Sequence, residues 1–274
     1  MDEVLTLARE ATPHGEVALR RRGVVLELVV DGAFAMDTVD TSTEERLATV
    51  PLARHAAPRR VLVGGLGLGA TTRTVLADPR VTEVDVVELA EPLVRWARSG
   101  LVPELAGLEG ERCRLHVGDV AEVLSDGAGA GGLGGPRGPW DLVLLDVDNG
   151  PDFLVHAGNA RLYRPRALAA ARARLAPRGV LVVWSSHVAP GLLAALRAVA
   201  AEGDVVAEEV LTVQREGRSF DYALYLLERG APPPRRRRPR PPPRGAPRAG
   251  REPRARTTRR VPLAVRAALA PRPA

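Results

Sequence analysis

From residue 17 to residue 37 apolar and polar positions alternate, with Gly23 and Asp31-Gly32 where the chain must turn. A period of two belongs to a half-buried strand, so Val24–Val30 and Ala33–Asp37 are predicted to form a β-hairpin, part of a small N-terminal sheet beginning near Glu16. Between Thr43 and His55 the spacing turns helical, with Thr43 as a cap and Pro58 as a stop. Short apolar runs then take over: Val61–Val63, Val84–Glu88, Arg114–Val117, Asp141–Leu145 and Val180–Trp184 read as strands. The segments Ala70–Leu76, Pro92–Ser99, Val120–Leu124 and Pro165–Leu175 read as helices between them, with a turn at Pro177-Arg178-Gly179. The Asp141–Leu145 run is almost wholly apolar, as a strand covered on both faces must be. After Pro190 a helix runs to about Ala201. Two further strands, Val205–Val213 and Phe220–Glu228, are separated by the polar segment Gln214–Ser219 and should pair antiparallel. Strands alternating with helices imply a parallel, doubly wound sheet, so the predicted class is α/β: a Rossmann-like sheet ending in an antiparallel hairpin.

Two stretches break this pattern. Residues 125 to 139 are rich in Gly and offer little side chain to pack, which predicts a flexible connection. Beyond Gly230 the chain is mostly Arg, Pro, Ala and Gly, with 12 of its 24 prolines, and has too little apolar material to offset the entropy of ordering. The predicted division is therefore 1–57, a small β domain with a linking helix; 58–230, the main domain; and 231–274, a disordered tail.

The division changes the meaning of the net charge of +6. Residues 230 to 274 hold 14 Arg against Glu252 alone, +13, which leaves 25 Arg and 32 acids, −7, in the rest. Such a tail could contact nucleic-acid phosphates with steep salt dependence, but it lacks aromatic side chains for base stacking, so the contact would be nonspecific. The alternative is a tail without a role. The lone Cys113 cannot form an internal disulfide, no run reaches the roughly 18 apolar residues of a membrane span, and residues 1 to 20 lack a leader pattern. The expectation is a cytoplasmic protein with no membrane partner.

Candidate chemistry clusters where strands end. Gly65-x-Gly67-x-Gly69 lies between a strand and a helix, where backbone amides can approach a ligand. With Ala70 next, the turn also fits the dinucleotide pattern, and it fits mere tight packing of helix on strand. Glu88 ends the second strand about twenty residues later, where a carboxylate can accept both ribose hydroxyls of a nucleoside. Asp119 follows the third strand and could reach an adenine amino group, although Gly-Asp is also a common turn. Asp146, Asp148 and Asp152 fall within seven residues after the fourth strand and would repel one another unless a cation lies among them. A sulfonium, an amine or a metal would satisfy them; a solvated acidic loop would need none. No His pair accompanies them at ligand spacing, so no metal is expected. Tyr163 is expected to wall the pocket, His156 lies near the acidic loop, and Trp140 and Trp184 read as core.

Together the glycine turn, Glu88, Gly118-Asp119, the Trp140–Asp146 strand, Leu175-Ala176-Pro177-Arg178-Gly179 and the final hairpin resemble the class I fold that binds S-adenosylmethionine. Within it the chain is similar to the spermidine synthase-like proteins, the polyamine aminopropyltransferase family, over roughly residues 16 to 229. Leu145-Asp146-Val147-Asp148-Asn149-Gly150-Pro151 and Asn159-x-Arg161-Leu162-Tyr163 resemble a bacterial subgroup of it.

The resemblance implies a transferase that moves an aminopropyl group from decarboxylated S-adenosylmethionine to an amine, in polyamine biosynthesis. It places Gly65, Gly67 and Gly69 beside the donor's amino-acid or aminopropyl part, Glu88 on the ribose and Asp119 on the adenine. Asp146 becomes the residue that orients and deprotonates the attacking amine, with Asp148 and Asp152 as acceptor anchors. The family's habit is a homodimer. Its members usually carry a second Asp where this chain has Asn149, and diamine-holding residues of which Met36 to Arg46 shows no set. A small-molecule methyltransferase using S-adenosylmethionine, or a nucleoside-binding protein without turnover, remain the alternatives.

Overall fold

The computed structural model describes residues 3–125, 135–215 and 217–231, which lie in one compact unit, Met1–Pro233. Most of the predicted glycine-rich break and nearly all of the predicted tail lie outside the described residues.

The N-terminal sheet has four antiparallel strands in the order β1 (Val4–Thr12), β2 (Gly15–Arg22), β3 (Val25–Val30) and β4 (Ala33–Asp37). The predicted hairpin is its second half. Its turn places Asp31 at φ 53° and Gly32 at φ 76°, the paired positive values of a two-residue hairpin turn. Strand β2 points Val17 and Leu19, and β3 points Leu26 and Leu28, into the main core. Helix α1 (Ser42–Arg54) begins one residue before the expected cap: Thr41 occupies the cap position and Thr43 is buried in the first turn.

The main sheet has seven strands in the order β10-β11-β9-β8-β5-β6-β7. Strands β5 (Arg60–Gly64), β6 (Glu83–Glu88), β7 (Cys113–Val117), β8 (Trp140–Leu145) and β9 (Leu175–Ser185) are parallel. Strand β11 (Arg218–Glu228) runs antiparallel to β9 and pairs with β10 (Val205–Arg215), as predicted for the closing hairpin. Helices α2 (Ala70–Ala77), α3 (Glu91–Ser99), α4 (Val120–Ser125), α5 (Pro165–Arg174) and α6 (Pro190–Val199) connect them. The predicted turn at 177–179 lies inside β9. That strand starts at Leu175 opposite Trp140 and shifts register before Val180, so the turn residues form an irregularity with Arg178 at φ 66°.

Side chains alternate between two cores. Val61, Val63, Leu142, Leu144, Val182 and Trp184 face the N-terminal sheet and α1, whereas Leu62, Val143, Leu145 and Val183 face the layer holding Leu124, Leu168 and Leu196 of α4, α5 and α6. From β5 the chain winds outward to β6 and β7, then returns to β8 on the other side of β5. That reversal opens a crevice at the carboxyl ends of β5 and β8, the usual ligand position in an open α/β sheet.

Candidate active site

A cavity occupies this crevice, with the glycine turn, Glu88, Asp119, Asp146 and Asp148 in its wall and Met36 and Val17 of the N-terminal sheet as its cover. The turn is built for close approach. Gly65 has φ 95°, and a Cβ there would sit 1.9 Å from the carbonyl oxygen of Asp146, so β5 and β8 meet too tightly for any side chain. At Gly67, φ 49°, a Cβ would lie 2.6 Å from Met36 Sδ. Met36 also accepts the Leu68 N–H at 3.1 Å, which ties β4 to the turn.

Glu88 is fixed by backbone. Its Oε2 accepts the Leu66 N–H and its Oε1 the Ala90 N–H, both at 2.8 Å. Enclosure pushes its pKa above the ordinary carboxylate range, against the opposing pull of those N–H groups. Asp119 accepts the Ala121 N–H at 2.7 Å through Oδ1 and is paired through Oδ2 with Arg161, 42 residues further on.

Asp146 stands at the end of β8, and its Oδ2 accepts a hydrogen bond from Thr71 Oγ1 of α2 at 2.9 Å. Thr71 also lies 3.3 Å from the backbone carbonyl of Glu44 in the first turn of α1. These contacts set the Glu44 and Asp146 carboxyl groups together in the cavity wall. Enclosure and then the Glu44 charge push Asp146 up to about 7, opposed by the Thr71 hydroxyl. Enclosure likewise raises Glu44, whose Oε2 accepts from Thr43 Oγ1 at 2.7 Å. Glu44 was not singled out from the sequence. It lies 102 residues before Asp146 on an exposed-looking helix start, and only the docking of α1 over α2 brings it to the site.

The other acidic-loop residues are placed differently. Asp148 accepts the N–H groups of Asn149, Val155 and His156 and the side-chain amide of Asn159, so both its oxygens are engaged within the loop. Asp152 is exposed, pairs with His187 Nε2 at 3.0 Å, and is not in the cavity wall. Tyr163 is buried in the core beneath the loop, also outside the wall, and enclosure with the Asp148 and Asp146 charges raises its phenol. His156 does line the cavity, edge-on to His14 from the N-terminal sheet with ring centroids 5.4 Å apart. Trp140 is core as expected; Trp184 is core and cavity wall at once. Among the described residues no three His, Cys, Asp or Glu side chains cluster at metal-ligand spacing.

Comparison with known proteins bears on the family and the fold. The model of the spermine/spermidine synthase domain matches residues 40–188. Similar curated proteins include the spermine synthase of Arabidopsis thaliana, 31% identical over 121 residues, which is 43% of this chain and 31% of that protein. The polyamine aminopropyltransferase of Desulforudis audaxviator is 32% identical over 144 residues, 52% of this chain and 49% of that protein. The matches thus span half or less of those relatives' length. Among solved structures, a spermidine synthase in complex with the transition state analogue AdoDATO superposes with a TM-score of 0.65 at 17% identity, covering 84% of this chain and 75% of that one. The spermidine synthase of Thermotoga maritima gives a TM-score of 0.62 at 17% identity, with 84% and 74% covered. These likenesses show the fold.

Proposed function

The chain belongs to the spermine/spermidine synthase family, and from that premise we propose that it transfers an aminopropyl group from decarboxylated S-adenosylmethionine to an amine, releasing methylthioadenosine. The observation that carries the reading is the Glu44–Asp146 pair: two carboxyl groups crowded in one cavity wall beside a glycine turn, a site that favours a cationic guest.

In this reading Glu88 holds the ribose hydroxyls, and Asp119, oriented by Arg161, faces the adenine. The donor's sulfur lies over Gly65 and Gly67. Of the turn's amides, Gly65 donates to Val87 O, Leu66 to Glu88, Leu68 to Met36 and Gly69 to Leu66 O. Among the described residues that leaves Gly67 N–H as the one amide of the turn with no protein acceptor, and the α-carboxylate of S-adenosylmethionine would also meet the negative charge of Glu44 and Asp146. The decarboxylated donor, ending in an ammonium, avoids that repulsion. This supports aminopropyl over methyl transfer.

The amine nitrogen attacks the aminopropyl carbon bonded to sulfur, the carbon–sulfur bond breaks, and its electron pair neutralises the sulfonium. The nitrogen must arrive unprotonated or shed its proton as the bond forms, although a free alkylammonium has a pKa near 10. An ordinary carboxylate is a weaker base by about six units; Asp146 at about 7 reduces that gap to about three, and so accepts the proton far more readily. Holding amine and sulfonium in line supplies much of the remaining acceleration. Asp148 and Asp152 act in this reading on the loop that carries Asp146, and Tyr163 supports that loop from below.

Incubation with either donor and a mixture of primary amines, followed by mass spectrometry of the nucleoside product, tests the proposal. Methylthioadenosine from the decarboxylated donor is expected. S-adenosylhomocysteine from S-adenosylmethionine would overturn it in favour of methyl transfer, and no product despite tight nucleoside binding would leave a binding protein.

A further inference from the structure

Resting on the transferase reading, we propose that Thr71 is a positioning residue for the proton transfer: it holds Oδ2 of Asp146 and so leaves Oδ1 as the oxygen that receives the proton of the attacking amine.

The backbone of Asp146 is held on both sides. Its N–H donates to the Gly64 carbonyl at 2.8 Å, and its own carbonyl lies so near Gly65 that a Cβ there would sit 1.9 Å away. What remains is rotation of the carboxyl group, a broad and roughly two-fold torsion. Thr71 stops it. The residue follows Gly69, whose φ of 84° turns the chain into α2, and it is 4% exposed, so its hydroxyl is fixed against the end of β8. That hydroxyl donates to Oδ2 at 2.9 Å. Among the described residues no donor reaches Oδ1, which is therefore the oxygen left for a guest in the cavity that Asp146 lines.

The Thr71 hydroxyl has one hydrogen and two acceptors in reach, Asp146 Oδ2 and, at 3.3 Å, the carbonyl of Glu44. The shorter contact is the charge-assisted one, so the hydrogen stays on Asp146 while that group is ionised. As the nitrogen–carbon bond forms, the carbon–sulfur bond breaks with its electron pair going to sulfur, and the nitrogen's proton passes to Oδ1. Oδ2 then belongs to a neutral acid and is a weaker acceptor, which frees the hydroxyl to turn to Glu44. The other titratable groups bearing on Asp146 are Glu44 of α1 and Glu88 of β6, which oppose its ionisation, and Tyr163 beneath the loop, whose raised phenol stays neutral. Among the described residues the Thr71 hydroxyl is the one group that favours the carboxylate. The next residue provides a contrast: Thr72 is 0% exposed, and its Oγ1 has no partner.

Thr71→Val, Thr71→Ser and Thr72→Val test the assignment in the full chain. The Asp146 titration is followed by carbon NMR without substrate, its carboxyl signal identified by its loss in Asp146→Asn. Methylthioadenosine release from the decarboxylated donor, with 1,4-diaminobutane at saturation, gives kcat. Thr71→Val keeps the shape and loses the donor, so the midpoint should rise by about one unit and kcat above it should fall about tenfold or more, while methylthioadenosine affinity stays within about twofold. Thr71→Ala serves for the same comparison if the valine variant does not fold. Thr71→Ser should keep the wild-type midpoint and kcat within about threefold, and Thr72→Val should move neither. An unmoved midpoint in Thr71→Val, a kcat there within about twofold of wild type, or a serine variant that behaves like the valine one overturns the inference. If the wild type itself releases no methylthioadenosine, the transferase reading fails and takes the inference with it, whatever the variants' midpoints.

Discussion

Replacing Asp146 by Asn should make the protein more stable, and increasingly so as pH rises. The carboxyl group is pushed up to about 7 by enclosure and by the neighbouring Glu44, whereas in the unfolded chain it returns to about 3.9. A carboxyl raised on folding binds more protons in the native than in the unfolded state across that interval. Stability from this group is therefore greatest below about pH 4, falls as pH rises, and levels off above about pH 7. About three units at 1.36 kcal/mol each set an upper bound of about 4 kcal/mol, and sharing of the proton with Glu44 reduces it. Asparagine keeps an oxygen for the Thr71 hydroxyl, so the charge is removed and the hydrogen bond is retained. Denaturant unfolding followed by tryptophan fluorescence should show the variant ahead by less than about 1 kcal/mol at pH 4.5 and by about 2–4 kcal/mol at pH 8.5. A difference independent of pH, or a wild type more stable than the variant at pH 8.5, would refute the account of Asp146 as an enclosed, like-charged carboxyl.

Three further outcomes follow from the same geometry. Glu44→Gln removes the like charge beside Asp146, so the rise of kcat/KM with pH should move its midpoint down by about one unit; a midpoint that stays or climbs contradicts the pairing. Gly65→Ala places a Cβ 1.9 Å from the Asp146 carbonyl at φ 95°, and should destabilise by about 3 kcal/mol or more with loss of nucleoside binding in a calorimetric titration. Asp148→Ala strips acceptors from the N–H groups of Val155 and His156 and from Asn159, and should cost about 2–4 kcal/mol with faster amide exchange in that loop; a change under about 0.5 kcal/mol would show the loop needs no such tie.

What the sequence disclosed has a physical pattern. Strands buried on both faces, such as Val61–Val63 and Asp141–Leu145, announce themselves because they are almost wholly apolar, and the glycine turn announces itself because it must be empty of side chains. Strand β1 escaped notice: at the sheet edge, with Val4 48% and Leu5 50% exposed, its pattern is not disciplined by a core. The turn expected at Pro177–Gly179 vanished into β9 because pairing with β8 extends past it. At the site, Glu88 and Asp146 were legible from their places at strand ends. Glu44, the Asp119–Arg161 pair and the loop-holding role of Asp148 were not, since each depends on partners brought together by tertiary packing or by the fold of a loop. Trp184 read as core and is core, and it lines the cavity as well.

A crystal structure with methylthioadenosine and an amine bears most directly on the central claim. The account requires the ribose hydroxyls on Glu88, the thioether over the glycine turn, and the amine nitrogen within hydrogen-bond reach of Asp146 and Glu44. A nucleoside bound elsewhere, a ribose turned away from Glu88, or an amine settled against Asp148 or Asp152 with Asp146 untouched would contradict it.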